Sequence, residues 1–175
     1  FGVDSLFSLS PALNLNGYYA RTRDRSLKGQ DDSHLVSFDY NADRYGLQVQ
    51  RLKVGTNFIP QVGFLRRHDF RRSFVQARFS PRPVHRMKAV RRFIYLVNTE
   101  YIENNPRRDE RARLDWREQE AQMEIEMVNS DRVNIDYMRD YEFIPTEFEI
   151  STSVKVPVGF RVARSKVPAI AAQKP

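Results

Sequence analysis

The chain has 175 residues, a formal net charge of +7 and no cysteine; its pI is about 9.9. Disulfides and thiolate metal sites are excluded, and the length admits one domain or a piece of a larger protein. A basic balance raises nucleic acid or anionic lipid as partners, but charged residues of both signs make up 29% of the chain and are interleaved, as on solvated faces.

Apolar and polar residues alternate with period two along most of the sequence, the pattern of half-buried strands. In chain order, strands are predicted over 12–23, 33–42, 44–54, 72–80, 91–103, 112–128, 132–143 and 154–164, all rich in aromatic or β-branched residues. The acidic run 117–126 has fair helix propensity, but alternation with Ala121, Met123 and Ile125 is the stronger feature, so no helix is predicted. After Arg164 the stretch "SKVPAIAAQKP" loses the alternation. Residues 1–164 are therefore read as one β-domain and 165–175 as a tail or truncated continuation.

Two hairpins have a testable register. A two-residue loop at Ala42-Asp43 sets Tyr40 opposite Tyr45, Phe38 opposite Leu47 and Val36 opposite Val49. A three-residue loop at Asn129-Ser130-Asp131 sets Met127 opposite Val133, Ile125 opposite Ile135 and Met123 opposite Tyr137. Each choice aligns an apolar set on one face, which a one-residue slip would scramble. The same register puts Glu126 by Asn134, Glu124 by Asp136 and Glu120 by Asp140 on the other face. Facing like charges are unfavourable, so that face must be wet, or supplied with arginines from a neighbouring strand.

One apolar and one charged face fit two architectures. A soluble barrel or sandwich turns the apolar face inward. A transmembrane barrel turns it outward to lipid and lines its lumen with the charges. No apolar run approaches the ~20 residues of a transmembrane helix, but a barrel crosses with strands of ~9–11 residues, which these match. Connections near 24–32, 55–71, 104–111 and 144–153 are long, while those at 42–43 and 129–131 are short and fall at the other strand ends. Only the link 81–90 breaks that rhythm, which is the rhythm of outer-membrane barrels. Tyr40 and Tyr45 would then be interface girdle residues. The chain starts at Phe1 without a basic-then-apolar leader, so any signal peptide is expected outside it.

"RYGLQVQRLKVGTNFIPQVGFLRRHDFRR", "VNIDYMRDYEFIPTEFEI" and "VKVPVGFRVAR" resemble elements of one bacterial family. It is the uncharacterised outer-membrane β-barrel domain that follows a family-9-type carbohydrate-binding domain in cell-surface proteins. The residues carrying the resemblance are Asn57, Phe58, Pro60, Gly63 and Phe64, then Phe148, Glu149 and Ile150. It spans about Leu13 to Arg164 and covers part of the family's barrel. It implies an antiparallel up-and-down meander belonging to a transmembrane barrel, a bacterial outer-membrane location, and outer-membrane lipid as surroundings. Polysaccharide or oligosaccharide would be met through an N-terminal domain outside this sequence. It implies no reaction and no cofactor.

Specific chemistry is sparse. Arg66, Arg67, Arg71 and Arg72, interleaved with Phe64, Phe70 and Phe74, could form a stacking platform for nucleic acid; solvated arginines paired to acids are the simpler reading, and no nucleic acid is expected. His34, His68 and His85 sit in separate loops or strand edges without a nucleophile motif. Carboxylate pairs such as Glu124/Glu126 and Glu147/Glu149 have glycosidase-like separations, but residues two apart on any strand meet that spacing. No Ca²⁺-loop pattern is present, and no metal site is expected. "ENNPRRDE" at 103–110 reads as a polar turn cluster, and Trp116 as a sugar-stacking or interface residue. The candidate lumenal polar ladder is Glu120, Glu124, Glu126, Asp136 and Asp140. No enzymatic activity is expected. A soluble ligand-binding module is the main alternative, with a basic nucleic-acid-binding domain third.

Overall fold

The period-two pattern becomes an antiparallel meander. A computed structural model describes residues 1–23, 29–60, 65, 67–83, 87–106, 111–151 and 154–173. The strands are β1 (Gly2–Ser10), β2 (Leu13–Arg21), β3 (Asp32–Asn41), β4 (Tyr45–Val54), β5 (Phe70–Phe79), β6 (Val90–Asn104), β7 (Leu114–Met127), β8 (Arg132–Ile144), β9 (Phe148–Ser151), β10 (Val154–Val156) and β11 (Phe160–Gln173). Nine of them form one sheet ordered β1-β2-β3-β4-β5-β6-β7-β8-β11, with every neighbour antiparallel. β9 and β10 make a small hairpin within the β8–β11 connection. Among the described residues the sheet is open, with β1 and β11 at its edges.

One face is apolar across the strands. A hydrogen-bonded row runs Tyr45, Phe79, Tyr95, Met123, Ile135, and the next runs Leu13, Tyr40, Leu47, Ala77, Val97, Ala121, Tyr137. Stacked rings edge the band: Tyr45 on Phe79 with centroids 5.3 Å apart, and Phe79 on Tyr95 at 6.3 Å. The other face carries Ser37, Gln50, Arg72, Asn98, Glu100, Glu120 and Asp140, among others.

Exposure is inverted relative to a water-soluble sheet. Val97 is 53% exposed, whereas Ser33 and Ser37 on the polar face are 1% and 3% exposed. Along β4, Tyr45, Leu47 and Val49 are exposed while Gln48 and Gln50 are half-buried. Among the described residues no strand lies over either face, since the substantial contacts all join hydrogen-bonded neighbours.

The apolar band also slides from strand to strand. On β3 its centre is Phe38, flanked by Val36 and Tyr40. The hydrogen-bonded row through Phe38 meets β7 at Gln119, but the band there is centred on Met123, between Ala121 and Ile125. The band has moved four residues over four strand steps. One residue per strand, ~3.4 Å of rise against ~4.8 Å of strand spacing, corresponds to strands tilted about 35° to the band.

Both hairpin registers differ from the sequence expectation by two residues. Tyr40 faces Leu47 and Phe38 faces Val49; Met123 faces Ile135 and Ile125 faces Val133. A two-residue shift keeps each side chain on its face, so the amphipathic argument could not detect it. Its causes lie outside the hairpins or in their turns. Arg78 on β5 donates to Asn41 Oδ1 (2.8 Å) and to the carbonyls of Ala42 (2.6 Å) and Asp43 (3.2 Å), fixing the first turn. In the second, Asn129 clasps Asp131 and Ser130 takes a left-handed φ of 71°.

Three other boundaries change. β1 was not predicted, because Leu6 stands on the opposite parity to Val3, Phe7 and Leu9 and blurs the alternation. The predicted strand 154–164 is broken by Pro157, which lacks a donor, and by Gly159 at φ 79°. Beyond it, β11 continues past Arg164 to Gln173 along β8, with a bulge between Lys166 and Ala169; that register shift is why the alternation fades after Arg164.

The long connections interlock at one end of the sheet. Gly55 N donates to Asp32 O and Asn57 N to Gln30 O, both at 2.9 Å, while Asn57 Nδ2 donates to Gly29 O. Asn105, 4% exposed, donates through Nδ2 to Val54 O (2.7 Å) and Asp69 Oδ1 (3.1 Å). Gln30 and Asp69 hold left-handed φ values of 52° and 58°, which such a network can impose on non-glycine residues. A Cβ on Gly55 would lie 2.1 Å from Gln30 O. Gly55→Ala is therefore expected to displace the 29–31 segment and lower stability by about 1–3 kcal/mol, read as a reduced urea midpoint of the folded protein.

Candidate functional site

The polar face is the surface on which chemistry is concentrated. Arg72 on β5 grips Glu100 on β6 in a bidentate pair, Nε–Oε1 2.6 Å and Nη2–Oε2 2.8 Å. It also donates to Gln50 on β4 at 3.2 Å and lies 5.4 Å over the Phe74 ring. One side chain thus ties three strands together, the kind of fork–fork geometry that Arg makes best.

The sequence register set acids opposite acids at several positions. The observed one leaves Glu124 opposite Asn134, Gln122 opposite Asp136, Glu120 opposite Met138 and Glu126 opposite Arg132. One like-charged row remains, Glu100, Glu118, Asp140. Its ends are compensated by Arg72 and by Arg164 (2.9 Å to Asp140). Arg164 comes from β11. Glu118, between them, makes no ion pair among the described residues.

The rest of the ladder is also partnered. Glu120 accepts from Asn98 at 2.7 Å, Glu126 pairs with Arg92 at 2.5 Å and Arg91 at 3.2 Å, and Arg132 stands 3.8 Å from Glu124. Asp136 Oδ1 is buried without a described hydrogen-bond donor. The arrangement is a sheet-wide ladder of alternating charge, suited to a hydrated wall. It presents no nucleophile–base pair.

The described arginines of the predicted basic loop, Arg67, Arg71 and Arg72, do not assemble. Arg67 pairs with Asp115 and lies 6.0 Å over Phe70, while Arg71 and Arg72 sit on opposite faces of β5. Arg66, with Gly63 and Phe64 of the resemblance, lies outside the described residues. Asn57, Phe58 and Pro60 belong to the interlocked connections, where Phe58 is buried. Phe148, Glu149 and Ile150 form part of β9, and Glu149 pairs with Lys155 at 2.8 Å. The 57–60 segment is thus architectural. His34 lies 3.3 Å from Asp32 and stacks on Tyr19; His85 is outside the described residues. Among the described residues no cluster of three metal-ligating side chains exists.

Asn105 and Asp115 are the residues that sequence reasoning passed over. Asn105 reads as one more turn-former in "ENNP", and only the fold shows it buried between Val54 and Asp69. Asp115, 5% exposed, holds Arg67 and Arg113 together. At the same end, Arg21 donates to Asp31 at 3.0 Å. That hydrogen bond holds the Asp31 carboxyl below the usual carboxylate range.

No protein family, curated protein or solved structure matches the chain.

Two outcomes follow from these contacts. Arg72→Ala and Glu100→Ala should each cost about 1–2 kcal/mol, with a double variant losing less than their sum by about 1 kcal/mol, read from urea midpoints. For Asp31 the folded pKa is lowered, so its contribution is present above the unfolded value and lost as pH falls through the folded one. The hydrogen-exchange protection factor of the Thr22 amide, which donates to Asp31 O, should fall over that acidic window and stay level near neutrality.

Proposed function

We propose that this chain is part of a bacterial outer-membrane β-barrel, serving as anchor or conduit in the handling of cell-surface polysaccharide. The observation that carries the reading is the inverted sheet: an exposed apolar band on one side and a half-buried charged ladder on the other. The one-residue stagger adds to it, because strands tilted about 35° to a level apolar belt are what a closed barrel in a bilayer requires. The stacked ring row Tyr45, Phe79, Tyr95 is an interface girdle, next to the short turns. Long connections gather at the opposite end, as on the outer side of such barrels.

The alternative, a soluble barrel or sandwich, needs the apolar face inside, and its exposure speaks against that. The polysaccharide association rests on the resemblance of 57–64 and 148–150 alone, and it would act through a domain outside this chain. The ladder supplies polar groups to a lumen, and nothing in it supports catalysis in this segment.

The full-length protein should partition to the outer membrane and migrate as a heat-modifiable compact form. Because the sequence has no cysteine, single-cysteine variants give a clean second test. In the reconstituted protein, Gln50→Cys should react with a membrane-impermeant maleimide and Val97→Cys should not. The reverse pattern, or a monodisperse protein without detergent, would sink the membrane reading.

A further inference from the structure

The apolar face changes character toward the long connections. Above the band stand Arg51, Lys53, Arg71, Arg117 and Arg139, on β4, β5, β7 and β8. Their positions descend along the same diagonal as the band: Arg51 is in row with Arg117, whereas Arg139, one strand farther on, lies a row lower with Val49 and Val75. They therefore track the band's border rather than any one hydrogen-bonded row.

Two of these cations are answered by acids. Lys53 is 3.2 Å from Asp32, which also faces His34, and Arg51 is 3.8 Å from Glu103. The other three are not. Nε of Arg71 and Nε of Arg117 are buried with no hydrogen-bond acceptor among the described residues, although Arg117 lies 5.8 Å over the Tyr141 ring. Arg139 is exposed and makes no described ion pair. Unanswered guanidinium donors at a half-buried site are costly unless an acceptor arrives.

A hollow lies directly below. It has a volume of about 440 Å³; Val75, Ala77, Val97, Ala121 and Tyr137 supply its apolar wall, Asn98, Thr99, Gln119 and Glu120 line the remainder, and Arg139 stands at its rim. Ala77 and Ala121 create it, being small residues in rows otherwise filled by Val, Tyr and Leu.

We infer that this border seats an anionic lipid, with phosphate on Arg71, Arg117 and Arg139 and an acyl chain in the hollow beneath. The inference rests on the membrane reading above. An apolar slot under a cationic rim on a lipid-facing surface matches the layout of a phosphorylated lipid, and guanidinium forks suit phosphate oxygens. Arg71 and Arg117 are two strands apart and offset by two residues along them, about 12 Å, so a headgroup with two phosphates would engage the whole border.

The test uses the full-length protein in phosphatidylcholine vesicles with and without diphosphoryl lipid A, reading retained lipid by native mass spectrometry after detergent extraction. Wild type should retain lipid A, and the triple variant Arg71→Gln, Arg117→Gln, Arg139→Gln should retain at least about tenfold less, since each surface cation contributes on the order of 1 kcal/mol. Arg44→Gln, at the short-turn end, should behave as wild type. Equal retention by wild type and triple variant, both heat-modifiable, overturns the inference and leaves the membrane reading intact. So does abolition of lipid A retention by millimolar inorganic phosphate, which would mean a free-anion site. Failure of wild type to insert into either vesicle removes the membrane reading and this inference with it. Should the triple variant not fold, Arg139→Gln alone decides: lowered retention supports the seat, and unchanged retention overturns it.

Discussion

Hydrogen-bond register is the constraint from which the rest follows. Within the sheet, each strand's carbonyls and amides are satisfied chiefly by its neighbours, and among the described residues no second layer helps to hold it. Once Phe38 is opposite Val49 and Val49 opposite Val75, the face of every other side chain is set by parity. A one-residue slip anywhere would move arginines and glutamates into the apolar band. The turns and cross-strand ion pairs that pin register therefore govern the chemistry of both faces. Arg78 at the first turn, Arg72 across β4–β6 and Arg164, reaching from β11 to Asp140 on β8, each act at that level.

The interlocked connections form a second, more local unit. Gly55 and Asn57 donate to the 29–32 segment, and Asn105 donates to Asp69 and, across 51 residues of sequence, to the Val54 carbonyl; Val54 and Phe58 are two of the few buried apolar side chains. In a sheet whose apolar face is exposed, burial of this kind occurs where loops fold over a strand end. The unit closes off one end of the sheet while leaving the polar face uncovered beneath it.

Strand existence and facing were legible in the sequence because period two survives any even shift of pairing. The pairing itself was not, and the reason is physical: two registers differing by two residues bury and expose the same side chains. What separates them is Arg78, a residue on a third strand, and the Asn129 clasp, neither of which a two-strand argument includes. β1 escaped notice because Leu6 falls on the opposite parity to Val3, Phe7 and Leu9. The final part of β11 was lost at its bulge. The polar ladder was visible as a list of acids, but its partners Arg72, Asn98 and Arg164 required the true register, and the buried roles of Asn105 and Asp115 required the fold.

The number of strands in the sheet carries one more consequence. In a meander of nine antiparallel strands, the first and the last run in the same direction. β1 and β11 could meet each other only as a parallel pair, whereas bacterial barrels of this kind close with even strand numbers and antiparallel pairing throughout. A wholly antiparallel cylinder containing this sheet must therefore add an odd number of strands between the two edges. In the open sheet, β1, exposed on both faces from Gly2 to Ser10, is an adhesive margin that would recruit any extended segment offered to it.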